Sequence, residues 1–234
     1  MKKSRISILT IAILILIASC GTQKQVVKEK VVTIPPPAGI EVMDTVTKVF
    51  ASLKLPKNDA WVIKNKDATW RSDEFLVKKM DDWKSLAVIR TMTFNNGTVD
   101  LNDTVAILKS INANAATILG YNDYHFKKDG NGDAIKTPVY TIKFISLSNG
   151  TRVVLMEAEV KITNKDYKTY GNSYYARNYF ILANREDGKK SIPVIFSAIA
   201  LTPDSYAIEK QKFIELVDYV TNTAVLKPEY KFKN

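Results

Sequence analysis

Cysteine is almost missing from this chain: one of its 234 residues, Cys20, carries a thiol. No intramolecular disulfide is possible, and no cysteine-based metal site exists. Histidine is as scarce. His125, within Asn122-Asp123-Tyr124-His125-Phe126, is the only one, whereas a zinc site takes three or four N, S or O ligands. The residue therefore reads as an ordinary loop or strand-end histidine. A Ser-His-Asp triad would need it, but the Gly-x-Ser-x-Gly turn that presents a nucleophilic serine does not occur. Also lacking are a low-complexity tract, an internal linker and a charge run long enough to form a dedicated patch. Two Asn-Gly-Thr turns, at Asn96 and Asn149, have flanks that do not match, so they mark no repeat.

The residues present at the start of the chain are more informative. Met1-Lys2-Lys3-Ser4-Arg5 carries three positive charges, and Ile6 to Ala18 is a 13-residue apolar stretch broken only by Ser7 and Thr10. A spanning helix needs ~20 residues, so the stretch fits the core of a cleavable export signal better than a permanent anchor. It ends in Ile17-Ala18-Ser19-Cys20. That tetrad resembles the lipobox of bacterial lipoproteins, in which an aliphatic residue and two small ones precede the modified cysteine. The resemblance covers the first 20 residues only. It implies that residues 1–19 are removed, that Cys20 is lipidated, and that the mature chain is held at a membrane outside the cytoplasm. Several acyl chains on one residue anchor firmly, each buried methylene contributing ~0.8 kcal/mol. Gly21 stands where inner-membrane lipoproteins of Gram-negative bacteria carry Asp, so in such a source the expected site is the outer membrane, facing the periplasm.

Gln23 to Ala38 reads as a tether, with Val-Val pairs, alternating Lys and Glu, and Pro35-Pro36-Pro37, which favours polyproline II. As a flexible coil, residues 21–40 would span roughly 25 Å. The same residues leave open an added strand over Val26–Ile34. The expected organisation is thus a signal over 1–19, a lipidated cysteine and tether over 20–39, and one domain over 40–234. A domain of that length can bury a sizeable core without disulfides or metals.

Within it the pattern predicts an α+β domain: an antiparallel sheet of hairpins covered by amphipathic helices. Val42, Val46, Val49, Phe50 and Leu53 recur at helical spacing, which predicts a helix over Glu41–Leu55 stopped by Pro56. Leu86–Phe94 and Thr98–Leu101 read as a hairpin. Asp103 is placed to cap a helix reaching Leu119, with Val105, Leu108, Ala115, Ile118 and Leu119 inward and Gly120 as its stop. Tyr174–Ala183 and Ser191–Leu201 read as paired strands joined through Asp187-Gly188. Thr202 and Pro203 then open a last helix whose buried stripe is Phe213, Leu216, Val217, Val220 and Ala224.

The hairpin at Asn149-Gly150 can be read in register. Val154, Met156, Ala158, Val160 and Ile162 alternate with Glu157, Glu159 and Lys161. A two-residue loop would set Ile142 opposite Glu157 and mix the faces. A three-residue loop, Ser148-Asn149-Gly150, sets Phe144 opposite Val154 and Ile142 opposite Met156, with Gly150 in the left-handed region.

Three groups of residues are further candidates for chemistry. Asp129-Gly130-Asn131-Gly132-Asp133 opens like a calcium loop, but Ala134 and Tyr140 stand where such a loop needs Gly and a bidentate Glu. It reads as a solvated turn. Glu157 and Glu159 share a strand face roughly 6.5–7 Å apart. Carboxylates at such separations can hydrolyse glycosides, though they also suit a wetted face. Tyr167 to Tyr179 holds Tyr167, Tyr170, Tyr174, Tyr175 and Tyr179 among Lys165, Lys168 and Arg177. Rings beside cations can stack sugars, which makes Tyr170, Tyr174, Tyr175 and Arg177 candidate ligand-binding residues for an anionic glycan. The other reading is a Tyr-rich strand, since Tyr favours strands. Finally, without Lys2, Lys3 and Arg5 the chain holds 31 basic and 24 acidic residues, a net of +7, which draws it toward anionic lipid or glycan.

The functional expectation is a membrane-anchored lipoprotein with a non-enzymatic binding or structural role. Its partners would be the membrane through Cys20 and an envelope protein or cell-wall glycan; no nucleic acid and no cofactor is expected. The alternatives are a carbohydrate-active hydrolase and a lipid carrier.

Overall fold

The computed structural model describes residues 35–57, 61–62, 72–81, 84–95, 100–115, 117–119, 139–161, 171–185, 191–203 and 206–232. Cys20, Tyr170, His125, the Asp129–Asp133 turn, Ile162 and both glycine punctuation points, Gly120 and Gly188, lie outside them.

The expected first helix is a hairpin instead. β1 (Val42–Thr45) pairs antiparallel with β2 (Phe50–Pro56), Thr45 opposite Leu53. The turn is tied by Thr47, whose Oγ1 accepts from the N–H of Val49 (3.0 Å) and of Phe50 (2.7 Å). Residues 42–49 are dense in Val and Thr, whose branched Cβ costs rotamer freedom in a helix and packs well on a pleated surface. Local chemistry overrode an apolar spacing that both periods could accommodate. β11 (Val225–Leu226) adds a third strand on the other edge of β2.

A seven-stranded antiparallel sheet forms the centre, in the order β3 (Trp61–Val62), β4 (Ser72–Asp81), β5 (Lys84–Asn95), β10 (Ser191–Leu201), β8 (Ser173–Ile181), β7 (Arg152–Lys161), β6 (Val139–Ser146). A two-stranded piece, β9 (Ala183–Arg185) with β12 (Tyr230–Phe232), completes the strands. β5 pairs with β4 and β10, whereas the sequence had suggested a partner over Thr98–Leu101. Leu101 lies in a turn just before a helix, where it is buried.

Between β6 and β7 the apolar face sets the loop length. Phe144 lies opposite Val154 and Ile142 opposite Met156. Leu147 and Thr151 close the loop, the Leu147 N–H donating to Thr151 O at 2.9 Å, and Gly150 takes φ 83°. Asn149 Oδ1 accepts from the Thr151 N–H at 3.0 Å, an Asx turn that steadies the tip.

Both faces of this sheet are covered, which one amphipathic face had not foretold. On one side α1 (Thr104–Ala113) sits with the row Ala158, Ala176 and Ala198 in a single apolar cluster. Small side chains there leave room for a helix to approach. Asp103 caps α1, its carboxylate accepting from the Ala106 N–H at 2.9 Å. Ile107 and Ile111 are the residues it buries, with Ala115, Ile118 and Leu119 beyond its end. Val105, expected inward, is 74% exposed because it falls on the far side from Ile107 and Ile111.

The opposite face packs against α2 (Tyr206–Thr223) and against β2. Phe213, Leu216, Val217 and Val220 of α2 meet Phe50, Leu53, Leu55, Ile195, Ile199, Val153 and Leu155 there. Ala224, expected on the helix stripe, follows the helix and is half-buried. Val153 to Met156 is therefore buried on both faces, and only from Glu157 onward does β7 carry charge on the α2 side.

Candidate functional site

The described part of the Tyr-rich segment runs from Gly171 into β8, and a strand sends alternate side chains to opposite faces. Tyr174 points into the α1 cluster, Tyr175 and Tyr179 into the α2 cluster, and all three are buried. They are not a stacking platform: a ring 1–3% exposed has no free face to offer a sugar. What β8 does assemble is a charged network around Arg177, which shares the face of Tyr175 and Tyr179.

Register brings Glu157 of β7 directly opposite Arg177 of β8. Arg177 Nη1 donates to Glu157 Oε1 at 2.6 Å. On its other side the guanidinium reaches α2, Nε donating to Asp218 Oδ1 at 2.7 Å and Nη2 to Oδ2 at 3.1 Å. This paired geometry is the strong form of an arginine–carboxylate contact. Both phenols join in: the Tyr175 hydroxyl donates to Glu157 Oε1, and the Tyr179 hydroxyl donates to Asp218 Oδ1. Lys143 of β6 closes the far side, its Nζ 3.2 Å from Glu157 Oε2. Lys210 of α2 lies 3.4 Å from Glu159 and 4.6 Å from the centre of the Tyr175 ring.

Burial and charge work against each other here. Burial pushes the Glu157 carboxyl up, but the Tyr175 hydrogen bond and the Arg177 and Lys143 charges outweigh it and hold the group below the ordinary carboxylate range. Burial, and then donation to Glu157, pushes the Tyr175 phenol up. Burial and the Asp218 charge do the same to Tyr179. Burial opposes the Arg177 charge, yet the Asp218 hydrogen bond and the surrounding negative charge raise its affinity for the proton overall. Glu157, Tyr175, Arg177 and Tyr179 are thereby each held in the protonation state they already have at neutral pH. Lys143, Arg177 and Lys210 balance Glu157, Glu159 and Asp218, so the network has no excess charge with which to draw an ion.

The ladder beneath is also interrupted, without a change of register. Between the pairs Ile195–Tyr179 and Ala198–Ala176, side chains bridge β10 and β8. The Ser197 hydroxyl donates to Arg177 O, and the Ser197 N–H donates to Asn178 Oδ1 at 3.2 Å. The strand that holds the arginine is thus tied to β10 through one main-chain and one side-chain oxygen of its own.

Compared with known protein families, with curated proteins and with solved structures, the chain finds no match.

Sequence reasoning picked out Arg177, Tyr175, Glu157 and Glu159 but not what joins them. It missed Asp218, Lys143 and Lys210. Lys210, Ile214, Asp218 and Asn222 follow one another at four-residue intervals, one line along α2. Three of them tie the helix down: Lys210 to Glu159, Asp218 to Arg177, and Asn222 to the hairpin, whose Ser148 N–H and hydroxyl donate to Asn222 Oδ1 at 3.0 and 2.8 Å. Three polar residues on one line beside the apolar stripe, Lys210, Asp218 and Asn222, are a signal the sequence carried.

An acid titration tests this account. Glu157 binds its proton less readily in the folded state than in the unfolded chain, so its contribution is complete above the unfolded carboxylate value of about 4.3 and is lost as pH falls through the lower folded value. Glu157→Gln is expected to cost about 1–2 kcal/mol at pH 7 and almost nothing at the acid end. The urea midpoints of the two proteins should converge as pH falls below the unfolded carboxylate value and through the lower folded one. A gap that stays constant with pH would show that Glu157 is not held ionised by its neighbours.

Proposed function

We propose that this protein is a membrane-anchored envelope lipoprotein whose domain has a non-enzymatic binding or structural role. The observation that carries it is the N-terminal pattern: three cationic residues in the first five, then the mostly apolar Ile6–Ala18, whose last two residues with Ser19 form Ile17-Ala18-Ser19 before the sole cysteine. In a Gram-negative cell the proposed site is the periplasmic side of the outer membrane. A partner protein is favoured over an anionic glycan, because Tyr174 and Tyr175 are core residues and Arg177 already serves two carboxylates.

The hydrolase alternative draws no support from the acidic pair. A glycosidase needs one carboxyl that keeps its proton at working pH. Glu157 is held ionised by Tyr175, Arg177 and Lys143, and Glu159 is exposed beside Lys210.

Mass spectrometry of the protein extracted from membranes is the test. The expected N-terminal peptide begins at Cys20 and carries added acyl mass, and Cys20→Ala is expected to leave the protein unprocessed or in the soluble fraction. An intact Met1, or a Cys20→Ala protein that is matured and membrane-bound as before, would overturn the proposal.

A further inference from the structure

We propose that the outward face of the β1–β2–β11 sheet lies against an anionic lipid surface; the inference builds on the lipoprotein reading above. Its starting point is where exposed apolar surface occurs. Among the described residues the large hydrophobic side chains left exposed are Val46 (70%), Val105, Ile208 and Val225 (54%). Two of them are neighbours. Val225 pairs with Ser52 on one flank of β2, and Val46 follows directly on the Thr45–Leu53 pair on the other. Leu53 points inward to the core, so Ser52 points outward, and its hydroxyl donates to Asp44 on the same face at 2.8 Å. Val46, just past the end of β1, and Val225 thus lie exposed on either side of the half-buried Ser52 on the outward side of the small sheet.

Charge and connectivity select the occupant. Lys48, Lys54, Lys57 and Lys227 lie on or beside this sheet against Glu41, Asp44 and Glu229, so its field leans positive within a mature chain of net +7. β1 is also where the N-terminal segment joins the domain. Only 14 residues separate Cys20 from Pro35. That length of chain reaches no more than roughly 50 Å even when fully extended. An acylated Cys20 would therefore hold the domain within that reach of a bilayer by the end that leads into β1, a high local concentration that makes weak contacts count. Two valines and a few lysines suit a headgroup layer: the valines enter the interface while the ammonium groups stay among the phosphates.

The test uses the full acylated chain in phosphatidylcholine vesicles with and without phosphatidylglycerol. With the Cys20 thiol acylated, Val46→Cys, Val225→Cys or Val105→Cys each supplies one reactive thiol for a nitroxide. Val105 belongs to α1, on the opposite side of the central sheet. With phosphatidylglycerol present, labels at 46 and 225 are expected to be shielded from a water-soluble nickel relaxant and reached by oxygen, while the label at 105 stays in water. Replacing Lys48, Lys54, Lys57 and Lys227 with Glu should abolish the shielding, each lysine near an anionic surface being worth about five-fold in partitioning. Circular dichroism of that variant must match the parent. Labels at 46 and 225 as wetted as the one at 105, or shielding that survives charge reversal, would overturn the proposal and leave the lipoprotein reading standing. A chain with no acyl mass on Cys20 that washes off the vesicles would bring down both.

Discussion

Arg177→Ala is expected to lower the stability of the domain by about 3 kcal/mol, near the low end of what is found when one member of a buried ion pair is removed. The loss does not come from the arginine itself. Glu157 and Asp218 would stay behind, facing each other across the vacated space with their phenol partners but without a cation between them. Their side chains are 23% and 36% exposed, so water would relieve part of the repulsion, which keeps the cost from the top of the range. Urea unfolding followed by circular dichroism would read it as a midpoint shift of about 1.5 M for a slope near 2 kcal/mol per molar.

Two further variants separate charge from packing. Arg177→Lys keeps the charge but cannot hold Asp218 with two parallel hydrogen bonds, and should lose about half as much. Adding Glu157→Gln and Asp218→Asn to Arg177→Ala should recover stability, because the uncompensated charges are then gone. If the triple variant is no more stable than Arg177→Ala, the arginine stem rather than its charge is what α2 rests on.

The parts of this fold that could be read from sequence are those in which one local rule faced no competitor. The β6–β7 hairpin is such a case. Alternation from Val154 to Val160 and one glycine at the turn leave a single register that keeps apolar side chains together. Glu41–Leu55 is the opposite case. Val42, Val46, Val49 and Leu53 satisfy a helical period, while Leu53 and Leu55 alternate as a strand does, and a count of apolar spacing ignores that the three valines are branched at Cβ and favour the strand. Val153-Val154-Leu155-Met156 also carried a message. Four consecutive apolar residues in a strand mark burial on both faces, so a second covering layer was implied over that half of β7.

The site was less legible because its chemistry depends on neighbours in space. Glu157 and Arg177 are 20 residues apart and meet only once β7 and β8 are aligned, and Asp218 is 41 residues from Arg177 on a helix. The Tyr-rich stretch was ambiguous for a different reason. Seen as a string, Tyr174, Tyr175 and Tyr179 form one aromatic cluster, but a strand divides them between two cores. Their value to the protein is that each hydroxyl has a use where it lands: Tyr174 reaches Leu119 O at 3.4 Å under one layer, and Tyr175 and Tyr179 hold the carboxylates under the other.

Gly171→Ala is expected to destabilise the domain by a similar amount, about 3 kcal/mol, through a purely steric route. Gly171 is buried at the entry to β8, where a Cβ would lie 2.3 Å from Leu201 O, 2.7 Å from its carbonyl carbon and 2.8 Å from its nitrogen. All three are main-chain atoms, so no flexible side chain can swing aside. The approach is enforced by the next two residues: the Asn172 N–H donates to Leu201 O at 2.9 Å, and Ser173 pairs with Leu201 in the ladder. An added methyl group must therefore push the start of β8 away from the end of β10. Overpacking of this kind costs ~1–3 kcal/mol, and the strained Asn172 hydrogen bond adds about 1 kcal/mol. For a domain of this size the melting temperature should fall by roughly 6–12 °C. Gly39 supplies the comparison. It takes φ 76°, so alanine there is conformationally strained, but a Cβ would meet nothing within 4 Å. Its replacement should cost only the ~1–2 kcal/mol of a left-handed backbone. Equal losses at the two positions would mean that β8 and β10 can separate at Leu201 without penalty. The displacement at Gly171 should also propagate: Tyr175 and Arg177 follow within six residues on the same strand, so the Gly171→Ala protein should lose part of the acid sensitivity that Glu157 confers, whereas the Gly39→Ala protein should keep it.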